Sequence, residues 1–401
     1  MKILILNAGS SSLKYQLIDM DGEKLLAKGL VERIGIEGSH INQKANGQIF
    51  DVASPMANHT EGIQWMLKAL LDPEKGALKS MDEIGAVGHR VLHGGERFTA
   101  SVLVNEEVKE AIKANIPLGP LHNPANLMGI EACEKVMPGT PNVAVFDTAF
   151  HQTMPPKAYM YGVPMEYYEK LHVRRYGFHG TSHRYVSKRV CEFLGLDRTK
   201  TRVITCHLGN GSSMCAVENG KCIDTSMGIT PLEGVIMGTR SGSMDPAVVQ
   251  YICNNEHISV DEMLTICNKK SGLLGISGLS SDMRDIDKAA DEGNERAIIA
   301  RDMLVYGIRK YIGSYAAAMN GVDVIVFTAG IGENNCALRE RVMQGFEYLG
   351  AKLDPTKNAG CREEAVISTD DSKVKICVIP TDEEIVIARD TLCIVTGKPI
   401  E

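Results

Sequence analysis

The chain lacks the common signals of a membrane-directed protein. Only four apolar residues separate Lys2 from Asn7, which is no signal peptide, and no apolar run approaches the ~20 residues that span a bilayer. Positive charge is also scarce. The 43 Lys and Arg stand against 50 Asp and Glu, for a formal net charge of −7. That excludes a broad surface for nucleic acid or an anionic membrane, so an anionic substrate must be met by a few local cations. The eleven cysteines are odd in number, scattered, and never paired as Cys-x-x-Cys. They fit reduced thiols in a cytoplasm better than zinc or a disulfide framework. There is no Walker A sequence and no complete Gly-x-Gly-x-x-Gly, which weakens P-loop and Rossmann readings.

What is present starts at the first residues. Ile3 to Leu6 reads as an apolar strand, Asn7-Ala-Gly-Ser10-Ser11-Ser12 as a polar turn, and Leu13 to Ile18 as a second strand carrying Lys14. A turn so poor in side-chain atoms leaves its own N–H groups exposed. With three hydroxyls, the Asn7 amide and Lys14, it suits phosphate oxygens; a plain Ser/Gly hairpin is the alternative. The pattern returns half a chain later. Val203 to His207 leads into Leu208-Gly209-Asn210-Gly211-Ser212-Ser213 and a second strand to Val217, followed by an Asn219-Gly220 hairpin signal. Two such hairpins in 401 residues suggest a duplicated core of two lobes, each aiming a small-residue turn at a shared cleft; accidental likeness of two Gly/Ser turns is the alternative.

Between and after the hairpins, several stretches hold chemistry-bearing residues. Ile84 to Gly95 reads as a buried strand ending in glycines, with Arg90 and Leu92 on one face. A buried Arg90 needs an anionic partner, either a ligand or a structural carboxylate. Asn142 to Ala149 is a strand with Asp147 at its C-terminal end, the edge where ligands collect in α/β sheets, unless Asp147 merely caps a turn. The rigid loop Pro117 to Pro124 holds Leu121 and His122. Tyr176 to His183 places Phe178 and His179 before a helix capped at Thr181 or Ser182, a location for negative charge. The i, i+4 histidines His179 and His183 need not share a face, which argues against zinc there. Gly228 to Pro246 carries Pro231, and glycines flank Arg240, giving it reach without bulk; taken alone, a solvated surface arginine is the better reading. A polar helix opens at Ser281-Asp282-Met283-Arg284. A long amphipathic helix, about 296–319, feeds a strand and the turn Gly330-Ile331-Gly332-Glu333-Asn334. Near the end, Thr381 and Glu384 have the spacing of a capping box, which would leave Glu383 free.

The segments Asn7 to Lys14, Arg90 to Gly95, Gly177 to His183, His207 to Ser213, Thr239 to Gly242 and Thr328 to Asn334 together resemble the acetate kinase family, in family order over residues 3 to 389. The resemblance implies an α/β protein with the duplicated ribonuclease H-like (actin/Hsp70-type) two-domain fold and a cleft between the lobes. The expected lobes are 1–149 with about 383–401, and 150–382. It also implies a cytoplasmic homodimer that moves a phosphoryl group reversibly between ATP and acetate, with no nucleic-acid or membrane partner. Acetate would bind at Arg90, walled by Leu92, Leu121, His122, Phe178 and Pro231. Arg240 and His179 would stabilise the transferring phosphoryl, and Asp147 would position acetate or the arginine. Asn7 and Glu383 would hold magnesium, or manganese in its place, directly or through water. Lys14, Ser10, Ser12, His207 to Gly211, Asp282 to Arg284 and Gly330 to Asn334 would bind ATP or ADP. Leu92 and Met283 depart from the family pattern, where a smaller Val and an aromatic residue are expected. Propionate kinase shares these motifs and is the nearest alternative; an actin- or Hsp70-like ATPase module is a more remote one.

Overall fold

Short apolar runs broken by small-residue turns build the first sheet. Its strands are β1 (Lys2–Ala8), β2 (Ser12–Asp19), β3 (Lys24–Glu32), β4 (His40–Ala45), β5 (Gln48–Ala53), β6 (Ile84–Val91), β7 (Val102–Leu103) and β8 (Asn142–Phe146), in the order β5-β4-β3-β2-β1-β6-β8-β7. The computed structural model describes residues 1–120 and 122–400, so Leu121 lies outside the described residues. β1, β2 and β3 are antiparallel neighbours, whereas β1, β6 and β8 run parallel. β8 is buried at every position, as expected of a parallel strand covered on both faces. The helix His59–Leu70 begins at Asn58, whose side chain accepts from the Glu61 N–H. It packs on β2, β3 and β4 and buries Ile63, Met66, Leu67 and Leu70 in one core with Leu17, Val31 and Ile41. The helix Glu383–Val395 lies against β1, β6 and β8. A Cβ on Gly88 of β6 would come within 2.6 Å of Ile387 in that helix, so only glycine allows so close an approach.

The second sheet repeats this design. Its strands are β9 (Arg202–Leu208), β10 (Ser212–Glu218), β11 (Lys221–Thr225), β12 (Val324–Thr328), β13 (Ala365–Val366) and β14 (Lys375–Val378), in the order β11-β10-β9-β12-β14-β13. Again the first three are antiparallel neighbours, and β9, β12 and β14 are parallel. The cores β3-β2-β1-β6-β8 and β11-β10-β9-β12-β14 therefore have the same order and the same strand directions. This is the duplicated core that the two hairpins imply. The helices Met283–Asp291 and Glu295–Ala318 bury Ile286, Leu304, Ile308 and Ile312 with Ile204, Cys206 and Ile325 of the sheet. The helix Gly180–Leu194 packs on β9 and β12.

The chain divides into two units, Met1–Phe150 with the residues from Asp382 onward, and His151–Thr381. Two helices follow the last parallel strand of one unit and belong to the other. Gly180–Leu194 follows β8 in the chain but belongs to the second unit, and Glu383–Val395 follows β14 but belongs to the first. No described helix is long and apolar enough to cross a membrane.

His89, inside β6, is 2% exposed and bonds Asn142 Oδ1 through Nε2 at 2.7 Å. Burial pushes its imidazole down to about 4, with the Asn142 bond opposing. Because the unfolded chain takes a proton near pH 6.5 and the folded one only near 4, stability is full above that upper value and falls as pH drops between them. Urea unfolding at pH 7.5 and pH 5 should show a loss about 2 kcal/mol larger in wild type than in His89→Gln. Equal losses would mean that His89 is not held neutral.

Candidate active site

In the first unit, the parallel strands end side by side, and the candidate residues sit on those ends. β1 runs on to Ala8, so Asn7 is a strand residue paired with Lys14 rather than part of the turn. The turn shrinks to Gly9–Ser11, closed by Gly9 N–H donating to Ser12 O at 2.8 Å. Ser10 is exposed and Ser12 half-buried. Two side chains pin this corner: His59 Nε2 meets Gly9 O at 2.7 Å, and Asn126 Nδ2 donates to Ala8 O at 3.0 Å. Asn126 Oδ1 also accepts from Leu92 N–H, while Asn123 brackets His93 through its N–H and carbonyl. Sequence reasoning missed both asparagines. The only local sign was their place at the start of the helix Asn123–Val136, just after His122 at its N-cap.

Arg90 and Asp147 form a two-point pair, Nε to Oδ1 at 3.0 Å and Nη2 to Oδ2 at 2.6 Å. Asp147 is fully buried, and its charge raises the Arg90 guanidinium further. Both Asp147 oxygens accept from the arginine, which holds the guanidinium in one plane. Arg90, Asn7, Lys14, Glu383 and Glu384 line one cavity of about 480 Å³. Lys14 thus stands with the acyl and metal candidates. Desolvation pushes the Glu383 carboxyl up to about 7, with Arg90 pulling it down.

The capping box at Thr381 and Glu384 does not form. Asp382 is the N-cap, its Oδ1 accepting from Ile385 N–H at 3.0 Å. Thr381 is already engaged: its hydroxyl meets Ser182 Oγ at 2.8 Å, and its N–H donates to Glu333 Oε1 at 3.1 Å. Glu384 is therefore released into the same cavity as Glu383.

In the second unit, the β9–β10 turn is tight, with Gly209 N–H donating to Gly211 O and Ser212 Oγ to Gly209 O. The helix after Phe178 starts earlier than the expected cap. His179 is itself the N-cap residue, at φ +58, a backbone state that non-glycine residues hold only under constraint. Constraint is evident. His179 stacks on His207 at a centroid distance of 4.2 Å, and its Nδ1 lies 2.8 Å from Ser213 Oγ. The same hydroxyl meets His183 Nε2 at 2.7 Å, and His183 Nδ1 meets Thr205 Oγ1 at 2.7 Å. Burial holds His183 well below its usual range, hence neutral. Ser182 Oγ bonds His207 Nδ1. The two histidines at i, i+4 are thus joined through Ser213, a link no local spacing reveals.

Arg240 is half-buried and donates through Nη1 only to the Pro231 carbonyl, at 3.2 Å, and weakly to the Met237 sulfur. No described carboxylate pairs with it, and desolvation lowers its pKa. A Cβ on Gly211 would lie 3.4 Å from Arg240 Nη1 and 3.5 Å from His179 Nε2. A bare glycine turn thus faces an unneutralised guanidinium and an imidazole, which is the composition of an anion site.

A second cavity, about 860 Å³, is lined by Gly209, Asn210, Asp282, Met283, Arg284, Gly330, Ile331 and Asn334, and by Asp287 and Arg362, which the sequence did not mark. Gly332 and Glu333 do not line it. Residues Ala329–Asn334 form a helical turn rather than an open loop, and Glu333 folds inward to accept from Ala329 N–H at 2.7 Å. Arg284 is largely exposed and paired with Asp282, which caps the helix Met283–Asp291. His207 and Gly211 stand with His179 and Arg240 rather than in this cavity, and Leu208 is buried in the core of the second unit. Of the expected acyl wall, Leu92 and His122 belong to the first unit, Phe178 and Pro231 to the second.

The sequence model of the acetokinase family matches residues 2–389. The chain belongs to that family. An acetate kinase of Clostridium botulinum (strain Hall) is 59% identical over 391 residues, 98% of each chain. The crystal structure of Porphyromonas gingivalis acetate kinase has a TM-score of 0.94 at 51% identity, covering 98% of this chain and 99% of that one. A propionate kinase from Francisella tularensis is more distant, at 0.91 and 43% over 98% and 99%. The chain is accordingly an acetokinase-family enzyme, a phosphotransferase acting on acetate with ATP or ADP, on the two-domain actin/Hsp70-type fold.

Replacing the cap residue, Asp382→Ala, should cost about 1 kcal/mol in urea unfolding, whereas Glu384→Gln leaves the helix start intact. A larger cost for Glu384→Gln would restore the capping box.

Proposed function

We propose that this chain catalyses reversible, magnesium-dependent transfer of the γ-phosphoryl group of ATP to acetate by direct in-line displacement. The observation that carries this reading is Arg240, a desolvated cation without a carboxylate partner, beside His179 and the bare Gly211 turn. Acetate is ionised at neutral pH, so its oxygen attacks phosphorus without a general base, the bond to ADP breaks, and acetyl phosphate leaves. Arg90, aligned by Asp147, binds the acetate carboxylate; Arg240 and His179 take the charge that develops on the phosphoryl oxygens. Main-chain donors of the Gly209–Gly211 turn and Lys14 serve the phosphates. The cavity containing Asp282, Met283, Gly330 and Asn334 takes adenosine.

Asn7 and Glu383, with Glu384 beside them, offer only oxygen donors in one cavity, a set suited to magnesium or manganese. The desolvated Glu383 carboxyl is stabilised as an anion when a cation lies next to it. The bound ion neutralises charge on the phosphates. A homodimer is supported by exposed apolar side chains of the second unit: Val248 and Tyr251 on the helix Pro246–Glu256, which buries no residue, and Val260, Leu264 and Tyr306. No disulfide joins any of the eleven cysteines, which supports a cytoplasmic location.

Arg90→Ala and Arg240→Ala should each lose roughly 10²–10⁴-fold in kcat, the scale of a deleted transition-state charge contact. Near-normal turnover in both, with folding intact by circular dichroism, would falsify the assignment.

Chain-length preference tests the acceptor. Leu92 is 6% exposed and held tightly, since a Cβ on Gly119 would lie 3.1 Å from its Cδ2. A single methylene in such a pocket is worth roughly 1–3 kcal/mol, or about 10–200-fold. In a hydroxylamine-trapping assay, acetate should exceed propionate at least ~tenfold in kcat/KM, and Leu92→Ala should narrow the gap through KM. Equal or better use of propionate by wild type would move the acceptor to propionate and leave the phosphoryl chemistry unchanged.

A further inference from the structure

Behind the segment that carries Phe178 and His179 lies a cluster unused by phosphoryl transfer. His151 comes from the turn Ala149–Thr153, Cys215 from β10 and Cys222 from β11. All three are fully buried. His151 Nδ1 lies 3.2 Å from Cys222 Sγ, the two sulfurs are 3.4 Å apart, and the three atoms lie within 4.8 Å of one another.

The other ring nitrogen decides how His151 is presented. Its Nε2 is 3.0 Å from the Phe178 carbonyl. A carbonyl only accepts, so Nε2 carries a proton, and Nδ1 is the ring nitrogen turned toward the sulfurs. Metal-binding histidines are held in this way, one nitrogen fixed by a carbonyl and the other turned toward the metal. Size agrees as well. A triangle with sides of 3.2 and 3.4 Å and a third of at most 4.8 Å has its equidistant point ~2.4 Å or less from each corner, against about 2.3 Å for Zn–S and 2.0–2.1 Å for Zn–N. Charge agrees too: one divalent cation, two thiolates and a neutral imidazole sum to zero, which removes the cost of burying a net charge.

We propose that His151, Cys215 and Cys222 form a site for a thiophilic divalent cation, zinc, with three protein ligands and one open position. Binding replaces the two S–H protons, which leave to solvent: Zn²⁺ + 2 RSH gives Zn(SR)₂ + 2 H⁺. The ion ties the β10–β11 hairpin to His151, and through the Nε2 bond to the Phe178 carbonyl, immediately before His179. This site is distinct from the magnesium site, whose oxygen donors lie in the first unit.

The test uses the full chain, purified under reductant, with zinc alone as the probe. Elemental analysis after gel filtration should find one zinc per chain in wild type. In Cys215→Ser and Cys222→Ser, competition with a colorimetric chelator should show zinc held at least ~tenfold more weakly. Cobalt loading should give a thiolate-to-cobalt absorption band in wild type that both serine variants lack. Should a serine variant not fold, His151→Gln carries the same comparison, with circular dichroism as the check. Zinc binding equal in wild type and variants overturns the proposal. So does wild type that takes up no zinc, its sulfurs joined only by S–H hydrogen bonds, and so does a Cys215–Cys222 disulfide in the reductant-purified protein.

Discussion

Parallel pairing of three strands in each sheet is the constraint on which the rest depends. In a parallel ladder all C-terminal ends emerge on one edge, and whatever follows each strand is delivered there. β1 ends at Asn7 and Ala8, β6 leads into Leu92, and β8 is followed by Asp147. β9 ends at His207 and Leu208, β12 is followed by Gly330, and β14 leads to Thr381. Residues far apart in the chain meet because their strands are in register, and the hydrogen bonds that hold the register are the same ones that build the core.

The two arginines show how one side chain serves two ends. Arg90 is neutralised by Asp147 on one edge of its guanidinium, which fixes its plane and leaves Nη1 outside the pair. Among the described residues, Arg240 has a carbonyl and a sulfur as partners and no carboxylate. Removing a cation from water without a counter-charge is costly, and the cost is recovered only when an anion arrives. Arg90 is thus suited to orient a small carboxylate, and Arg240 to respond to charge that builds during transfer.

Strand ends and small-residue turns were legible in the sequence, because apolar alternation and Gly/Ser content are local. The duplicated hairpin, Arg90 on its strand and Asp147 at the end of β8 all followed from that. Capping was less legible. Thr381 and Glu384 have the right spacing for a box, yet Thr381 is taken by Ser182 and Glu333, and the helix starts on Asp382. Glu333 looked like a loop acid and is a folded-in acceptor of two backbone N–H groups. Convergence between separate elements was not legible at all. Asn123, Asn126, Ser213 and the His151–Cys215–Cys222 group carry no periodic signal, because their partners are fixed by tertiary packing rather than by neighbours in the chain.

The exchange of terminal helices bears on how the protein is made. The first unit has β1 to β8 in place once residue 146 is synthesised, but the helix Glu383–Val395, which covers one face of its parallel strands, arrives only after the whole of His151–Thr381. A ribosome delivering the chain from its N-terminus therefore leaves that face bare for most of elongation, while the second unit, interrupted by no later segment, can finish first. The unit that starts first is thus completed last, and the apolar face of β6 and β8 lacks its covering helix in the interval.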